Sequence, residues 1–169
     1  MTLRYQEGFT LIELLIVVAI IGLIAAIAVP NLLMALQRSK VSRTLAEIRT
    51  ILTALHTYTI DHNHYPISTN FTSLVDVVNA GGLSTYYRGP VEDTWGMPFR
   101  YRTDATGSAY MIKSFGPNQV HNNTTGDFED PATWVGPDCT NLSFQNLNAI
   151  VERGCDIVFL NGVLAEKFD

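Results

Sequence analysis

Gly8-Phe-Thr-Leu-Ile-Glu13 runs without a break into Leu14-Leu-Ile-Val-Val-Ala-Ile-Ile-Gly-Leu-Ile-Ala-Ala-Ile-Ala-Val29, and this stretch decides the fold. From Phe9 to Val29 there are 21 residues with a single ionisable side chain, Glu13. At ~1.5 Å per residue, a helix of that length spans about 30 Å, the thickness of a hydrocarbon core. A cleaved secretory signal would need a basic start, a shorter apolar run and a small-x-small site at its far end. Here the far end reads Ile27-Ala-Val-Pro-Asn31 and the helical pattern continues, so the segment is expected to be retained. A plain anchor helix leaves Glu13 unexplained, because a carboxylate near a membrane span is costly unless it snorkels or finds a partner.

Working outward, Val41, Leu45, Ile48, Leu52 and Leu55 recur at spacings of four and three, the stripe of one amphipathic helix. Arg38, Lys40, Arg43, Glu47 and Arg49 occupy its other faces. Pro30 and Asn31 predict a bend or local melting where the apolar run meets this stripe. The helix is expected to stop before Pro66, which disfavours a helical Tyr65. A short helix is expected over 73–80, ended by Gly81-Gly82. Strands are expected at 97–102 and 109–115, joined through Asp104-Ala-Thr-Gly107. A last pair, 155–160 and 163–165, flanks Asn161-Gly162, a two-residue hairpin signal. The predicted class is α+β, with a long N-terminal helix, transmembrane in its first half and amphipathic in its second, laid on an antiparallel sheet.

Composition bounds the function. The chain has 169 residues, 47% hydrophobic and 16% charged, enough for one modest core. A net charge of -5 with 11 Lys+Arg argues against nucleic acid as the main partner, since phosphate binding needs a concentrated basic surface. No nucleophile elbow, phosphate loop, H-E-x-x-H or C-x-x-C is present, so an enzyme is not expected. His62 and His64 beside Asp61 have a spacing that a metal can use, although a solvated helix end explains them as well. Asn70, Asn122, Asn123 and Asn141 open N-x-[ST] triplets, which imply little outside a eukaryotic secretory route.

The register of Gly8, Phe9 and Glu13 at the opening of an apolar helix resembles the prepilin processing site of the type IV pilin-like family. The resemblance implies a leader at 1–8, cut between Gly8 and Phe9 by a membrane prepilin peptidase, with N-methylation of the new Phe9 amine. It implies a transmembrane and assembly helix at 9–29, its amphipathic continuation at 30–64 and a globular head at 65–169. Pro30 falls where pilin helices carry a bending proline. The leader departs slightly, with Arg4 as its one basic side chain and Glu7 beside the cut. The implied partners are other copies of the chain, joined through the N-terminal helix, together with the inner membrane, the peptidase and a secretion or pilus assembly platform. Phe9 and Glu13 are the expected assembly pair, the carboxylate of one subunit meeting the amine of a neighbour. Gly22, Ala25, Ala26 and Ala28 would let helices approach closely.

Asp93-Thr-Trp95-Gly96-Met-Pro98-Phe99-Arg-Tyr101 resembles a fingerprint of the major pseudopilin of type II secretion, with Thr94 where that family carries proline. Ser114-Phe-Gly-Pro-Asn118 is similar to the turn after its second strand. Such pseudopilins bind calcium in the loop that follows, which makes Asp127 and Asp130 candidate calcium ligands here, while Asn118 stands where an Asp is expected. No cofactor is required. Cys139 and Cys155 are the only cysteines, an even count on the side where oxidation is expected, and their pairing would close a loop of 15 intervening residues. The resulting expectation is a pseudopilus subunit acting in protein export. A surface pilus subunit and a membrane-anchored periplasmic binding or sensory domain are the alternatives.

Overall fold

The computed structural model describes residues 8–119 and 157–164. The chain divides into two units, Met1–Leu36 and Gln37–Asp169. One helix, α1 (Leu11–His62, 52 residues), belongs to both. It is followed by β1 (Thr72–Ser73), α2 (Leu74–Ala80), a 3-10 turn (Leu83–Thr85), β2 (Arg100–Thr103), β3 (Tyr110–Ser114), β4 (Ile157–Leu160) and β5 (Val163–Leu164). Among the described residues the strands form a five-stranded sheet in the order β1-β2-β3-β4-β5, antiparallel at every step. The α+β expectation holds: a long helix and an antiparallel sheet.

Of the bend or local melting expected at Pro30 and Asn31, the melting does not occur, since α1 is helical throughout, with Pro30 inside it. A proline removes one i to i−4 bond, but the turns on either side retain theirs. The Asn31 amide also donates to the Ile27 carbonyl at 3.1 Å, adding a bond beside the gap. Threonines would ordinarily weaken the other half of the helix. The hydroxyls of Thr50, Thr53, Thr57 and Thr59 bond back to carbonyls three or four residues earlier, which satisfies them without lifting that cost, and the helix there is held by its buried stripe. The helix ends at Asn63, in the left-handed region at φ 59°, whose N–H reaches the Thr59 carbonyl at 2.8 Å.

In the second unit, all five residues of the predicted stripe are buried, joined by Thr44, Ile51, Ala54 and Tyr58. Strand alternation places Tyr101, Thr103, Tyr110, Ile112, Ser114 and Phe159 on one sheet face. Tyr110 on that face approaches His56 of α1, hydroxyl to Nε2 at 3.4 Å. Arg100, Arg102, Met111, Lys113 and Val158 lie on the other face. Every residue of β3 is buried, so both faces are covered there. The β4–β5 hairpin turns at Asn161 (φ 46°) and Gly162 (φ 86°), the pair of positive values that the Asn-Gly dipeptide supplies. The Asn161 side chain accepts from the Tyr110 N–H at 2.9 Å, tying that turn to β3.

The β2–β3 turn is pinned by Asp104. Its carboxylate accepts from the N–H groups of Ser108 and Ala109 and from the hydroxyls of Thr106 and Ser108. Desolvation opposes ionisation of Asp104, but these donors from Ser108, Thr106 and Ala109 outweigh it and hold the carboxyl well below the usual range. Gly107 completes the turn at φ 69°, where an added Cβ would lie 2.9 Å from the Tyr65 carbonyl. The turn therefore docks tightly on the segment leaving α1, and the Tyr65 N–H bonds the Gly107 carbonyl at 2.8 Å.

Asp104→Ala should cost about 1 kcal/mol of head stability at neutral pH, the scale of a lost side-chain cap. A depressed folded-state pKa means that the unfolded chain binds its proton first, so this contribution is lost as pH falls through and below the ordinary carboxylate range. Urea unfolding between about pH 6 and about pH 2 should show the wild-type advantage shrinking steadily with acid. A difference independent of pH would contradict an ionic role for Asp104.

Candidate functional site

At the start of α1, Thr10 and Glu13 form a reciprocal cap. The Thr10 N–H and hydroxyl both donate to Glu13 Oε2, at 2.9 and 2.7 Å. The Glu13 N–H donates back to Thr10 Oγ1 at 3.3 Å, and Leu14 N–H bonds the Thr10 carbonyl at 3.3 Å. This is a capping box, in which the residue before the helix and the acid three positions later satisfy each other's free donors. The reading of the sequence missed Thr10, although T-x-x-E before an apolar run is its signal. The carboxylate also lies where the helix dipole favours negative charge. Gly8 and Phe9, the expected cleavage pair, are exposed immediately before the cap, Phe9 at 74%.

The apolar half of the helix has no cover of its own. Every residue from 8 to 36 is exposed, and an 18-residue window of mean hydropathy 3.0 is 0% buried. By length and composition this helix can cross a membrane. The same exposed aliphatic surface can pack against neighbouring helices, and nothing lies within 4 Å of the position a Cβ would take on Gly22.

The 93–101 fingerprint builds a tight turn instead of a chemical site. Asp93 is buried, with Oδ1 accepting the N–H groups of Trp95 (3.0 Å) and Met97 (2.9 Å) and Oδ2 accepting the Ser114 hydroxyl (2.7 Å). Gly96 takes φ 83° within it. Pro98 bridges to Glu92, and Phe99 and Tyr101 are fully buried in the core. The Tyr101 hydroxyl donates to the Pro66 carbonyl at 2.9 Å, and burial pushes its pKa up, so it stays a donor. Thr94 docks the turn on α1, with hydroxyl contacts to Thr44 Oγ1 (2.8 Å) and the Lys40 carbonyl (3.1 Å). A proline there would lack both the hydroxyl and the N–H that Thr94 directs to Thr44. The Trp95 indole N–H donates to Gln37 Oε1 at 3.0 Å. Thr44 and Gln37 carried no signal in the sequence, because polar residues beside an apolar stripe read as solvated.

Among the described residues no group of three or more His, Cys, Asp or Glu could hold a metal. His62 stacks on Tyr58 at 4.0 Å with Nδ1 against the Tyr58 carbonyl, and His64 turns Nδ1 to the Tyr65 carbonyl. Asp61 accepts from the Tyr86 hydroxyl at 2.7 Å. The three are thus engaged with the end of the helix. Asn118 is exposed. Asp127, Asp130, Cys139 and Cys155 lie outside the described residues.

Comparison with known proteins agrees with this arrangement. Residues 3–29 match the prokaryotic N-terminal methylation motif, and residues 31–133 match the family described as type II secretion system (T2SS), protein G. The type II secretion system core protein G of Escherichia coli K12 is 31% identical over 120 residues, covering 67% of this chain and 83% of that protein. Its counterpart in Pseudomonas aeruginosa is 28% identical over 138 residues, covering 78% and 96%. The type IV major fimbrial protein FimA of Dichelobacter nodosus is 32% identical over 147 residues, covering 83% and 92%. No solved structure matches the chain at a significant level. The match from residue 31 to residue 133, directly following the methylation motif on the same helix, places the chain in the family: it belongs to the type II secretion system protein G family, within the type IV pilin-like proteins.

Proposed function

We propose that the protein is a structural subunit of a type IV pilin-like filament, the pseudopilus of a type II secretion system, acting in protein export. One observation carries the reading: a helix buried in its head along residues 41–58 and bare along residues 8–36. A bare apolar stretch of this length needs a bilayer before assembly and other copies of itself afterwards. The subunit waits in the inner membrane as a single-pass protein with its head in the periplasm. Prepilin peptidase removes 1–8, Phe9 is N-methylated, and the assembly platform moves the helix from lipid into a homopolymer. The residues serve binding and packing, with no catalytic role. Within the filament, Glu13 pairs with the Phe9 amine of a neighbour, which fixes axial register because an unpaired buried charge costs several kcal/mol. A surface pilus subunit is the second reading, favoured by the similarity to the fimbrial protein over 83% of the chain.

In the head, we propose that Cys139 and Cys155 form a disulfide that ties the 119–154 segment to the sheet, a closure worth about 3 kcal/mol. Asp127 and Asp130 are the residues that would hold calcium if a cation performs that role instead.

Mass spectrometry of Glu13→Ala from native membranes should show normal processing to a chain starting at N-methylated Phe9, while filament yield collapses. Wild-type yield from that variant would mean that Glu13 only snorkels, and an intact Met1 terminus in the wild type would remove the filament reading itself. For the head, reduction should lower the thermal midpoint clearly and chelation should leave it in place. The opposite pattern would replace the disulfide with calcium.

A further inference from the structure

One face of the sheet carries Arg100, Arg102, Met111, Lys113 and Val158, opposite the face whose Tyr110 meets α1. Its middle is closed to water, with Met111 1% exposed and Lys113 and Val158 each 2%. Lys113 stands directly across the ladder from Arg100, a like-charge pair that destabilises a sheet unless an anion lies beside it. A buried ammonium is likewise costly without a carboxylate partner. Arg100 lies 5.9 Å from the centre of the Phe115 ring, and Arg102 lies 5.7 Å from that of Phe71, with a 2.9 Å bond to the Thr69 carbonyl. Aromatic faces and a carbonyl supply no full negative charge, and Lys113 is itself not free.

The acids of the described head are committed elsewhere or solvated. Glu47 pairs with Arg43, Asp61 accepts the Tyr86 hydroxyl, Asp93 is bonded within its turn and Asp104 pins the β2–β3 turn. Asp76 and Glu92 are exposed. Chain connectivity points to another source. β3 and β4 are neighbours, with Ser114 opposite Ile157, so a hairpin loop of about two to five residues would join them. The chain instead runs through the whole of 115–156. Positions 120–156 hold Asp127, Glu129, Asp130, Asp138, Glu152 and Asp156 against a single arginine, Arg153, together with the apolar Phe128, Trp134 and Phe144. Both ends of the connection meet the sheet beside Lys113, whose partner in the ladder is Val158.

We propose that this sheet face is the docking surface for the 120–156 segment of the same chain. Carboxylates of the segment meet Lys113 and Arg100, and its apolar side chains cover Met111 and Val158. Charge and length both fit: the face offers cations and a closed apolar middle, and the segment offers acids and far more chain than a hairpin needs. A face covered by its own chain is withdrawn from neighbouring subunits, so a partner approaching the head on that side meets 120–156 first. The proposal is independent of the filament reading.

The test is zero-length cross-linking of the full chain in detergent micelles with a water-soluble carbodiimide, which joins an amine to a carboxylate only where the two touch. The sample mixes unlabelled with 15N-labelled chains. Mass spectrometry should find Lys113 joined, within one label, to an acid of 120–156. A link across labels would give the face to a second copy, and a Lys113 joined to no acid of that segment would leave it to a free anion. Either result overturns the proposal. A variant supplies a second reading. Lys113→Met keeps the bulk and removes the charge, and thermolysin should then cut within 120–156 about tenfold faster than in the wild type while 65–115 stays intact. Cutting of 120–156 at the wild-type rate in that variant would overturn the proposal as well.

Discussion

The 52 residues of α1 share one backbone but not one environment, and the rest of the molecule is arranged around that mismatch. From Val41 to Tyr58 the apolar stripe has its cover within the chain, supplied by Phe99, Tyr101, Tyr110, Ile112, Ile157 and Phe159 in the same core. From 8 to 36 there is none. Burying one large aliphatic side chain is worth about 1.5–3 kcal/mol, so an uncovered run of them in water would outweigh the whole stability of a small domain. The helix therefore exists only as part of a larger apolar phase, and exchanging one such phase for another is what assembly requires.

Glu13 is the obstacle in that exchange, and the cap with Thr10 shows how the isolated chain meets it. A carboxylate carried near hydrocarbon is expensive, but this one accepts two donors from Thr10 at a helix N-terminus. A neighbouring amine would compete with those neutral donors through a charge-assisted bond, roughly twice as strong. Both Thr10 donors fall on Glu13 Oε2, and in the filament proposed above a neighbouring amine would be a further or replacing partner for that carboxylate.

Much of this was legible in the sequence because period and chemistry agreed. The 41–55 stripe, the Asn161-Gly162 hairpin and the Gly8-Phe9…Glu13 register are all strong local signals. What escaped was non-local. β1 is two residues long and exists only because β2 pairs with it. Thr44 and Gln37 gain meaning only when Thr94 and Trp95 reach them from 50 and 58 positions away in sequence. Pro30 predicts a bend or local melting, and of the two the melting is absent, because a single missing hydrogen bond does not melt a helix that continues for several turns on both sides.

The central claim, that the bare half of α1 is the polymerising element, is tested most directly by a cryo-electron microscopy structure of the assembled filament. The account predicts residues 9–36 packed helix against helix in the filament core, with each Glu13 carboxylate within ion-pair distance of a neighbouring Phe9 amine. Filaments joined only through head contacts, with those helices still exposed and Glu13 still bound to its own Thr10, would contradict it.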